Sequence, residues 1–530
     1  MSFNIELTFL NYLLASAPIL LLLVTLIVFR WKAPIVGLIG YLLALLLAIS
    51  TFGADVTVLW IASAKGLALS LFVLSIIWTA VLLYNVIEQA GAMEVIGVRI
   101  AQLTKDQLSH SLLLAWAFSG FVQGVTGFGV PVAVVVPLMV MVGVRPMIAA
   151  VAVLIGHSWA VTFGSLGSSY YSIQLVTGIP GSEIAPTMAL MFALPILGTG
   201  FAVAHITDGF SGVRRSGVMI IVTGSIMAFS SWAMAVLHAP QLSSIVAGLL
   251  GCLVIWIFSL VRSNGHRDRL MANEMDVNTG VTGTVSRMGF HTAFMPYYLL
   301  VILTFGAQTG LIQNIFGDPK LGMDFPGTMT DFGLVVHPVK QYAAISLFGH
   351  PAPIIIASLI GTAIVLRFRG FWGAKLTWRA IERTYRQSLP PTFGIVTMVM
   401  MAVVMLHSGM TEMIARGLAE ISGGLFPLAS PFIGLVGAFM TGSNTNSNVM
   451  FGVLQVETAR ALDISAVVVA SLQSIGGSIG SAATPAKVLL STTLVGLSGA
   501  EGNIMRKTLI YTIALIALIG IEGLVVVYIG

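Results

Sequence analysis

A run of uncharged polar residues interrupts an apolar background near the end of the chain. Gly442 is followed by Ser443, Asn444, Thr445, Asn446 and then Ser447-Asn448, with apolar residues on both sides. Hydroxyl and amide groups at membrane depth are costly unless they face protein, water or a ligand. We therefore predict that this segment is a broken, ligand-facing piece of backbone that hydrogen-bonds a small polar solute.

A second stretch with the same potential lies earlier in the chain, in the sequence QGVTGFGVP at 123–131. Three glycines and a proline disturb the helix and free backbone N–H and C=O groups. A broken helix also exposes a positive dipole end that favours a carboxylate. A tightly packed glycine-rich helix crossing is the alternative interpretation. The candidate site residues here are Gln123, Gly124, Thr126 and Gly127.

Each of these segments is followed by another apolar stretch broken by Gly, Ser and Thr. The first covers 156–171 and the second 473–487, and they contribute Ser165, Gln473 and Thr484 as further candidates. Hydroxyls and freed backbone suit a small polar ligand. A single Ser or Thr in a membrane helix usually bonds to its own helix carbonyl, so none of them is strong evidence alone.

Few titratable residues lie inside the apolar segments. His157 is the first candidate for carrying a proton, because histidine changes charge near neutral pH; a neutral core histidine is the alternative. Glu88 and Asp208 are the other proton-coupling candidates, although both lie near predicted helix ends and also fit an interfacial position. Lys487 either reaches the site or extends toward the membrane surface, and the sequence leaves both open.

The composition places these motifs in a membrane. Of 530 residues, 57% are hydrophobic and 8% are charged, against about 25% charged in soluble proteins. The apolar residues fall in blocks long enough to span a bilayer. The net charge of +5 reflects Lys and Arg beside apolar blocks, as topology determinants lie, and does not indicate nucleic-acid binding. Cys252 is the only cysteine, so no disulfide framework is expected.

Hydropathy predicts an all-α polytopic membrane protein with about 12 transmembrane helices and two re-entrant hairpins. The hairpins are predicted near 110–142 and 431–457. Loop charges predict that Arg214, Arg267 and Arg379 lie inside the cell and Asp324 outside, with both termini outside. Arg30, after the first apolar run, is predicted to be cytoplasmic. The predicted spans are 12–29, 34–50, 67–87, 147–170, 187–206, 217–237, 242–261, 293–313, 340–366, 392–408, 466–497 and 508–528.

An internal repeat accounts for the paired motifs. Gly124 and Gly442 occupy matching points (442 − 124 = 318), and the same offset superimposes several predicted spans. The predicted topology makes the halves opposite in orientation, as in secondary transporters with inverted repeats. The alternative is that any two polytopic stretches align by hydropathy. We predict a first repeat at 1–210, linking helices and a cytoplasmic loop at 211–292, and a second repeat at 293–530.

Over nearly its whole length the chain resembles the L-lactate permease family, which includes glycolate permeases. The resemblance rests on the sequences EQAGAM at 88–93, QGVTGFGVP at 123–131, GHSWAVTFGS at 156–165 and TGSNTNSN at 441–448. It implies a multi-pass protein of the bacterial inner membrane that imports L-lactate, D-lactate and glycolate by proton symport. The partners implied are a small carboxylate, a proton and the lipid bilayer, with no cofactor and no metal.

The Ser443-Asn444-Thr445 tip also resembles the hairpin tips of dicarboxylate and citrate transporters in the ion-transporter superfamily. There the tips hold the substrate carboxylate and, in some members, sodium. The first hairpin has Val125-Thr126-Gly127 in place of a second such tip, which favours a proton as the coupling ion and a substrate with one carboxylate. Sodium coupling and an anion channel are the alternatives.

An enzyme is disfavoured. The sequence GGSIG at 476–480 matches G-x-S-x-G, but that motif needs a strand–turn–helix context and this stretch is apolar helix. The chain has no H-E-x-x-H and no G-x-x-x-x-G-K-[ST]. The sequence does not predict an oligomeric state.

Overall fold

The computed structural model describes residues 8–27, 29, 31–104, 106–127, 129–263, 287–308, 315, 317, 319–497 and 499–529. Several predictions lie outside these residues. They are the cytoplasmic positions of Arg30 and Arg267, most of the loop predicted between 263 and 290, the place of Phe128 in the first hairpin, and the end of the predicted span 293–313.

Within the described residues, twelve helical stretches are long and apolar enough to cross a membrane. A thirteenth is added if the bent pair Pro146–Ala160 and Gly164–Thr177 forms one span. The all-α polytopic prediction is therefore confirmed, with four short strands as its exception.

The helices up to the middle of the chain are Phe9–Ile27, Ala33–Ser50, Val56–Gln89, Ala92–Ala101, Gln107–Ser111, a π-helical segment Leu112–Phe118, Ser119–Val125, Val130–Met141, Pro146–Gly156, a 3₁₀ turn Ser158–Ala160, Gly164–Thr177, Gly181–Met191, Ala193–Val236, a 3₁₀ turn Pro240–Leu242 and Ser243–Ser263. Those that follow are Phe290–Gln308, Pro351–Phe368, Ala374–Ser408, Met410–Ser422, a 3₁₀ turn Gly423–Leu425, Phe426–Thr441, Asn444–Ala461, Ala466–Gly480, a 3₁₀ turn Ser481–Ala483, Pro485–Leu494 and Glu501–Tyr528.

Helix boundaries recur at the offset of 318 residues. Shifted by that amount, Ala33–Ser50 covers 351–368 and Val56–Gln89 covers 374–407, which match the helices Pro351–Phe368 and Ala374–Ser408. The shift also carries Ala92–Ala101 onto the start of Met410–Ser422. These coincidences support the proposed repeat. The two long helices, Val56–Gln89 and Ala374–Ser408, pack along one another, and we call them the scaffold pair.

The span predicted at 340–366 is wrong in its first part. Strand β1 (Lys320–Phe325) pairs antiparallel with β4 (Val339–Ser346), and β2 (Thr328–Met329) pairs with β3 (Val335–Val336). The helix begins only at Pro351, with His350 as its N-cap. The strand β4 contains several apolar residues, so hydropathy alone does not distinguish it from the start of a membrane helix. We call the β1–β4 pair the ribbon.

Two other predicted spans differ in extent. The span predicted at 187–206 begins in the helix Gly181–Met191 and continues into Ala193–Val236, which also contains nearly all of the span predicted at 217–237. The helix Ala193–Val236 is interrupted at Asp208 and Gly209 by non-helical backbone angles. The span predicted at 67–87 is the inner part of Val56–Gln89, which is 34 residues long.

Opposite ends of the scaffold pair carry different charges. Beside the start of Val56–Gln89, the Asp331 N–H donates to the Gly53 carbonyl over 2.8 Å. Beside its end, Arg383 pairs with Glu88. The acidic segment around Asp331 and the basic segment around Arg383 therefore lie at opposite ends of one membrane helix, an arrangement that fits their predicted placement outside and inside.

Both predicted hairpins form pairs of helices joined at a break. The first joins Ser119–Val125 to Val130–Met141 through Gly127 and Gly129, both with positive φ. The second joins Phe426–Thr441 to Asn444–Ala461 through Gly442, with φ of 73°. Glycine supplies this left-handed backbone without a Cβ clash, which explains why the hairpins turn at these positions.

A broken helix follows each hairpin. Pro146–Ala160 and Gly164–Thr177 meet at 52°, and Ser165 and Leu166 take positive φ of 49° and 54° although they are not glycine. In the second broken helix, the helix Ala466–Gly480 and the 3₁₀ turn Ser481–Ala483 are separated from Pro485–Leu494 by a break at Thr484. Non-glycine residues in the left-handed region are strained and cluster at functional sites. We call these elements the first and second broken helices.

Candidate functional site

The two broken helices cross each other in the core. The Ser478 hydroxyl donates to the Ser158 carbonyl over 2.6 Å and accepts from the Thr162 N–H over 3.2 Å. The Thr162 hydroxyl donates to the Ser474 carbonyl over 3.0 Å. Ser158 and Thr162 bracket Ala160, which is the counterpart of Ser478 at the repeat offset (478 − 160 = 318). The crossing therefore joins matching points of the proposed repeats.

The tip of the second hairpin lies against this crossing. The Asn444 amide donates to the Thr162 hydroxyl over 3.0 Å and to the Ser474 carbonyl over 3.2 Å. The Asn448 amide, one turn later, donates to the Ser169 carbonyl over 2.9 Å and to the Ser474 hydroxyl over 3.0 Å. The tip thus bonds to both broken helices, and its predicted contact with a ligand stays a prediction.

Three oxygen atoms at this tip have no hydrogen-bond partner among the residues that the structure describes. They are the side-chain carbonyl oxygens of Asn444, Asn446 and Asn448, in residues no more than 6% exposed. A buried acceptor left without a donor costs about 1–3 kcal/mol. These three oxygen atoms can therefore accept hydrogen bonds from a ligand hydroxyl or coordinate a cation.

A lysine and a histidine meet beside the crossing. The Lys487 ammonium lies 3.1 Å from His157 Nε2 and donates to the Ser481 hydroxyl over 3.0 Å. His157 Nδ1 lies 2.6 Å from the Val153 carbonyl and therefore carries its hydrogen, which leaves Nε2 free to accept from Lys487. His157 is fully buried and Lys487 is 8% exposed. Of the two positions left open for Lys487, the structure gives the inward one.

The first hairpin tip lies close to the bend of the first broken helix. The backbone at Gly127 is so near the Ser165 hydroxyl that a Cβ there would overlap it, and a Cβ at Gly164 would meet the Gln123 amide at 2.7 Å. Gln123 is 3% exposed and its side-chain oxygen is unpaired. The structure therefore brings together the predicted residues Gln123, Gly127 and Ser165.

A pocket of about 200 Å³ opens between this tip and the scaffold pair. Such a volume holds roughly seven water molecules, and it is large enough for a small carboxylic acid. Thr126 brings the hairpin tip into its wall, and the unpaired Ser388 hydroxyl is one of its polar groups. The lining residues are Ile77, Val81, Tyr84, Thr126, Val130, Gln387, Ser388 and Pro391.

Close helix packing positions these groups. A Cβ at Gly476 would overlap the Pro431 carbonyl, and one at Gly434 would overlap the Gln473 carbonyl, so the second hairpin lies directly on the second broken helix. In the first half, a Cβ at Gly156 would overlap the Ala115 carbonyl. Small residues that let helix backbones approach are typical of membrane interfaces.

Other predicted residues have local partners. Ser443 caps its helix by accepting from the Asn446 N–H, and Thr445 shares a hydrogen bond of 2.9 Å with Ser169. Gln473 donates to Ser447 over 3.0 Å and accepts from Gln455, so it ties the second broken helix to its own hairpin. The remaining two are Thr484, which donates to the Ser481 carbonyl, and Gly124, which packs against Ile245.

Two proton-coupling candidates lie away from the crossing. Asp208 pairs with Arg215 at the helix interruption, where both side chains are about half exposed. Glu88 pairs with Arg383 at the end of the scaffold pair. The interfacial interpretation describes both positions, and the structure leaves His157 as the candidate that reaches the crossing.

Several contact residues were not selected from the sequence. Within helices, Asn444 and Asn448, and likewise Ser474 and Ser478, are four residues apart and share one face, which could have been noticed. The repeat offset could also have indicated Ser478, because Ser478 is the counterpart of Ala160 at this offset. The unselected contact residues are Ser158, Thr162, Ser169, Asn448, Ser474 and Ser478, while the position of Lys487 was left open.

Comparison with known proteins gives a consistent family. Residues 11–530 match the family model described as L-lactate permease. The glycolate permease GlcA of Escherichia coli K12 is 26% identical over 98% of this chain and 96% of its own length. The L-lactate permeases of Escherichia coli K12 and Bacillus subtilis 168 are each 26% identical, over 97% and 96% of this chain and 95% and 94% of theirs.

A solved structure titled as Neisseria gonorrhoeae MtrF, of a class of antimetabolite efflux pumps, is also similar. Its TM-score is 0.34 at 12% identity, over 81% of this chain and 82% of that one, and nothing is inferred from it. The bacterial relatives and the twelve apolar helices make this chain a multi-pass protein of the inner membrane.

Proposed function

Because the chain belongs to the L-lactate permease family, we propose that it is a secondary transporter. It imports L-lactate and related small 2-hydroxy monocarboxylates, D-lactate and glycolate, by proton symport. The names of its relatives, L-lactate permease and glycolate permease, support this substrate class. The observation that carries the proposal is the Lys487–His157 pair beside the crossing of the broken helices.

This pair provides a positive site for the substrate. Burying an ammonium group is expensive unless an anion compensates it. Among the residues that the structure describes, no carboxylate pairs with Lys487, whose partners are a histidine and a serine. The carboxylate of a 2-hydroxy acid supplies the missing charge, and its hydroxyl can donate to the unpaired amide oxygens of the second hairpin tip.

The same pair couples substrate to proton. At 3.1 Å, two positive charges on Lys487 and His157 would repel each other strongly in a buried site. A bound carboxylate removes that repulsion, so His157 takes up a proton when the anion is bound. One anion and one proton then cross together, and no net charge moves across the membrane.

Sodium coupling is the second candidate, and a specific observation favours it. Uncharged oxygens of the kind left unpaired on Asn444, Asn446 and Asn448 coordinate hard cations. Sodium at the second hairpin tip would satisfy them without His157. The two candidates therefore assign the coupling ion to different residues.

The deciding experiment is uptake of labelled lactate, glycolate and pyruvate into proteoliposomes. We expect an imposed pH gradient to drive accumulation of the hydroxy acids, with little response to membrane potential alone. His157→Gln, which keeps a hydrogen-bonding side chain but does not titrate near neutral pH, should abolish accumulation and retain lactate exchange. His205→Gln is the matched control, because His205 bonds to Tyr511 away from the crossing.

Accumulation driven by a sodium gradient at fixed pH would replace proton symport by sodium symport. Intact pH-driven accumulation by His157→Gln would remove His157 from the coupling mechanism. Flux that does not saturate and shows no counterflow would indicate a channel.

A further inference from the structure

A second buried lysine lies in the scaffold pair, beside the ribbon. Lys65, in the helix Val56–Gln89, is 2% exposed. Its ammonium lies 5.9 Å from the Phe325 ring centre and 5.6 Å from that of Tyr342, both in the ribbon. In the part of the chain that the structure describes, no carboxylate pairs with Lys65. Ring faces attract the cation, but they leave its N–H groups without strong acceptors.

The repeat shows what is missing at this position. At the offset of 318, the counterpart of Lys65 is Arg383, which pairs with Glu88. The counterpart of Glu88 is Leu406, so the acidic partner is replaced by an apolar residue. Next to it lies His407, which is 5% exposed and whose Nδ1 has no hydrogen-bond partner in the described part of the chain. One end of the scaffold pair thus has a complete ion pair and the other a cation without its anion.

Lys65 and His407 lie on different helices of the scaffold pair. A Cβ on Gly66, the residue after Lys65, would overlap the Met400 backbone, so the two helices are in direct contact there, and His407 follows Met400 by about two turns. Lys65 lies against the ribbon, and both residues lie at the opposite end of the scaffold pair from the Glu88–Arg383 pair. An ammonium and an imidazole nitrogen with no acidic neighbour form a suitable pair of donors for a carboxylate.

We propose that Lys65 and His407 form an entry site that binds the carboxylate of an incoming monocarboxylate beneath the ribbon, before the substrate reaches Lys487. This inference rests on the proposed function, since it takes the same ligand class. It adds a second, outer binding site. The ribbon forms its roof, and its aromatic rings hold the lysine in place.

The test measures transport in oriented proteoliposomes, separately from each side. Lys65→Met keeps the length and packing of the side chain and removes the charge. We expect it to raise the KM for external lactate by about tenfold or more, since a charged hydrogen bond is lost. The maximal uptake rate, the KM for efflux from the inside and pH-driven accumulation at saturating lactate should remain close to those of the unmodified protein.

Two further variants separate ligand binding from anchoring of the ribbon. If Lys65 only anchors the ribbon through its rings, Tyr342→Leu should raise the external KM as much as Lys65→Met does. If Lys65 binds the anion, Tyr342→Leu should have the smaller effect. His407→Gln gives an independent measurement if Lys65→Met does not fold, and it should also raise the external KM selectively.

An unchanged external KM in either Lys65→Met or His407→Gln would overturn the entry site. So would an equal change in the KM values for uptake and efflux, or an effect of Tyr342→Leu that matches Lys65→Met. None of these results would affect the proposed symport, because accumulation at saturating lactate is measured in the same vesicles.

Discussion

Replacing Lys487 by methionine tests the proposed substrate site most directly. Methionine has a similar length and no charge, so the helix Pro485–Leu494 should keep its packing. In the proposed complex, the ammonium donates a charged hydrogen bond to the substrate carboxylate. Such a bond contributes about 1.5–3 kcal/mol. We therefore expect the Kd for lactate to rise by about tenfold to a hundredfold.

Without lactate, the Lys487→Met substitution should leave the stability of the protein unchanged or increase it. Without substrate, Lys487 is a buried cation whose partners are His157 and Ser481, both neutral acceptors. Replacing a buried charge by an apolar group of similar size is often neutral or stabilising. The variant should therefore unfold at the same temperature as the unmodified protein or at a higher one, although it binds lactate more weakly.

Thermal unfolding of the purified protein, with and without lactate, measures both effects. At 100 times its Kd, lactate should stabilise the unmodified protein by about 2.7 kcal/mol. The same concentration should stabilise Lys487→Met by far less. Lys507→Met is the matched control, because Lys507 is exposed on the helix Glu501–Tyr528. A Lys487→Met protein that keeps the full lactate-induced stabilisation would refute the assignment of the carboxylate to Lys487.

Three further predictions concern other parts of the structure. Asn444→Ala removes the amide that bonds to Thr162, so the affinity for lactate should fall by about tenfold to a hundredfold. Equilibrium binding measures this affinity, and an unchanged value would exclude the tip from the site. Gly476→Ala should lower the unfolding temperature, with a cost of about 1–3 kcal/mol, because its Cβ overlaps the Pro431 carbonyl; an unchanged temperature would contradict the close packing. Burial lowers the pKa of His350 from 6.5 to about 4, so the folded state binds its proton later than the unfolded state as pH falls. Stability is therefore complete above pH 6.5 and should decrease by about 3 kcal/mol toward pH 4, and His350→Asn should flatten this dependence in pH-resolved unfolding.

Most membrane helices were predictable because hydropathy reports on them directly, and the offset of 318 residues gives a second, independent indication of several helix boundaries. Apolar blocks located most spans, and the glycines near 124–129 and at 442 marked the hairpin breaks. The ribbon was not predictable in this way. Val339–Ser346 carries enough apolar residues to pass as the start of a span, and only its pairing with Lys320–Phe325 makes it a strand. That pairing depends on contacts outside the segment itself.

The direction of Lys487 was not predictable for a similar reason. A lysine just after Thr484-Pro485 can point inward or along the membrane surface, and the sequence of its own helix does not distinguish these directions. The direction is set by the 3₁₀ turn that places Ser481 beside it and by His157 from the other half of the chain. A residue whose position depends on two distant segments cannot be assigned from either segment alone.

The crossing explains why the site needs both halves. A broken helix leaves backbone N–H and C=O groups without partners, and in a bilayer these must be satisfied by protein. Here Ser478 accepts from the Thr162 N–H and donates to the Ser158 carbonyl, and the Thr162 hydroxyl donates to the Ser474 carbonyl, so each broken helix provides hydrogen-bond partners for the other. One half alone would expose these groups at membrane depth, at a cost of several kcal/mol for each. The helix breaks are therefore stable only where the halves meet, and that is where Asn444 and the Lys487–His157 pair also lie.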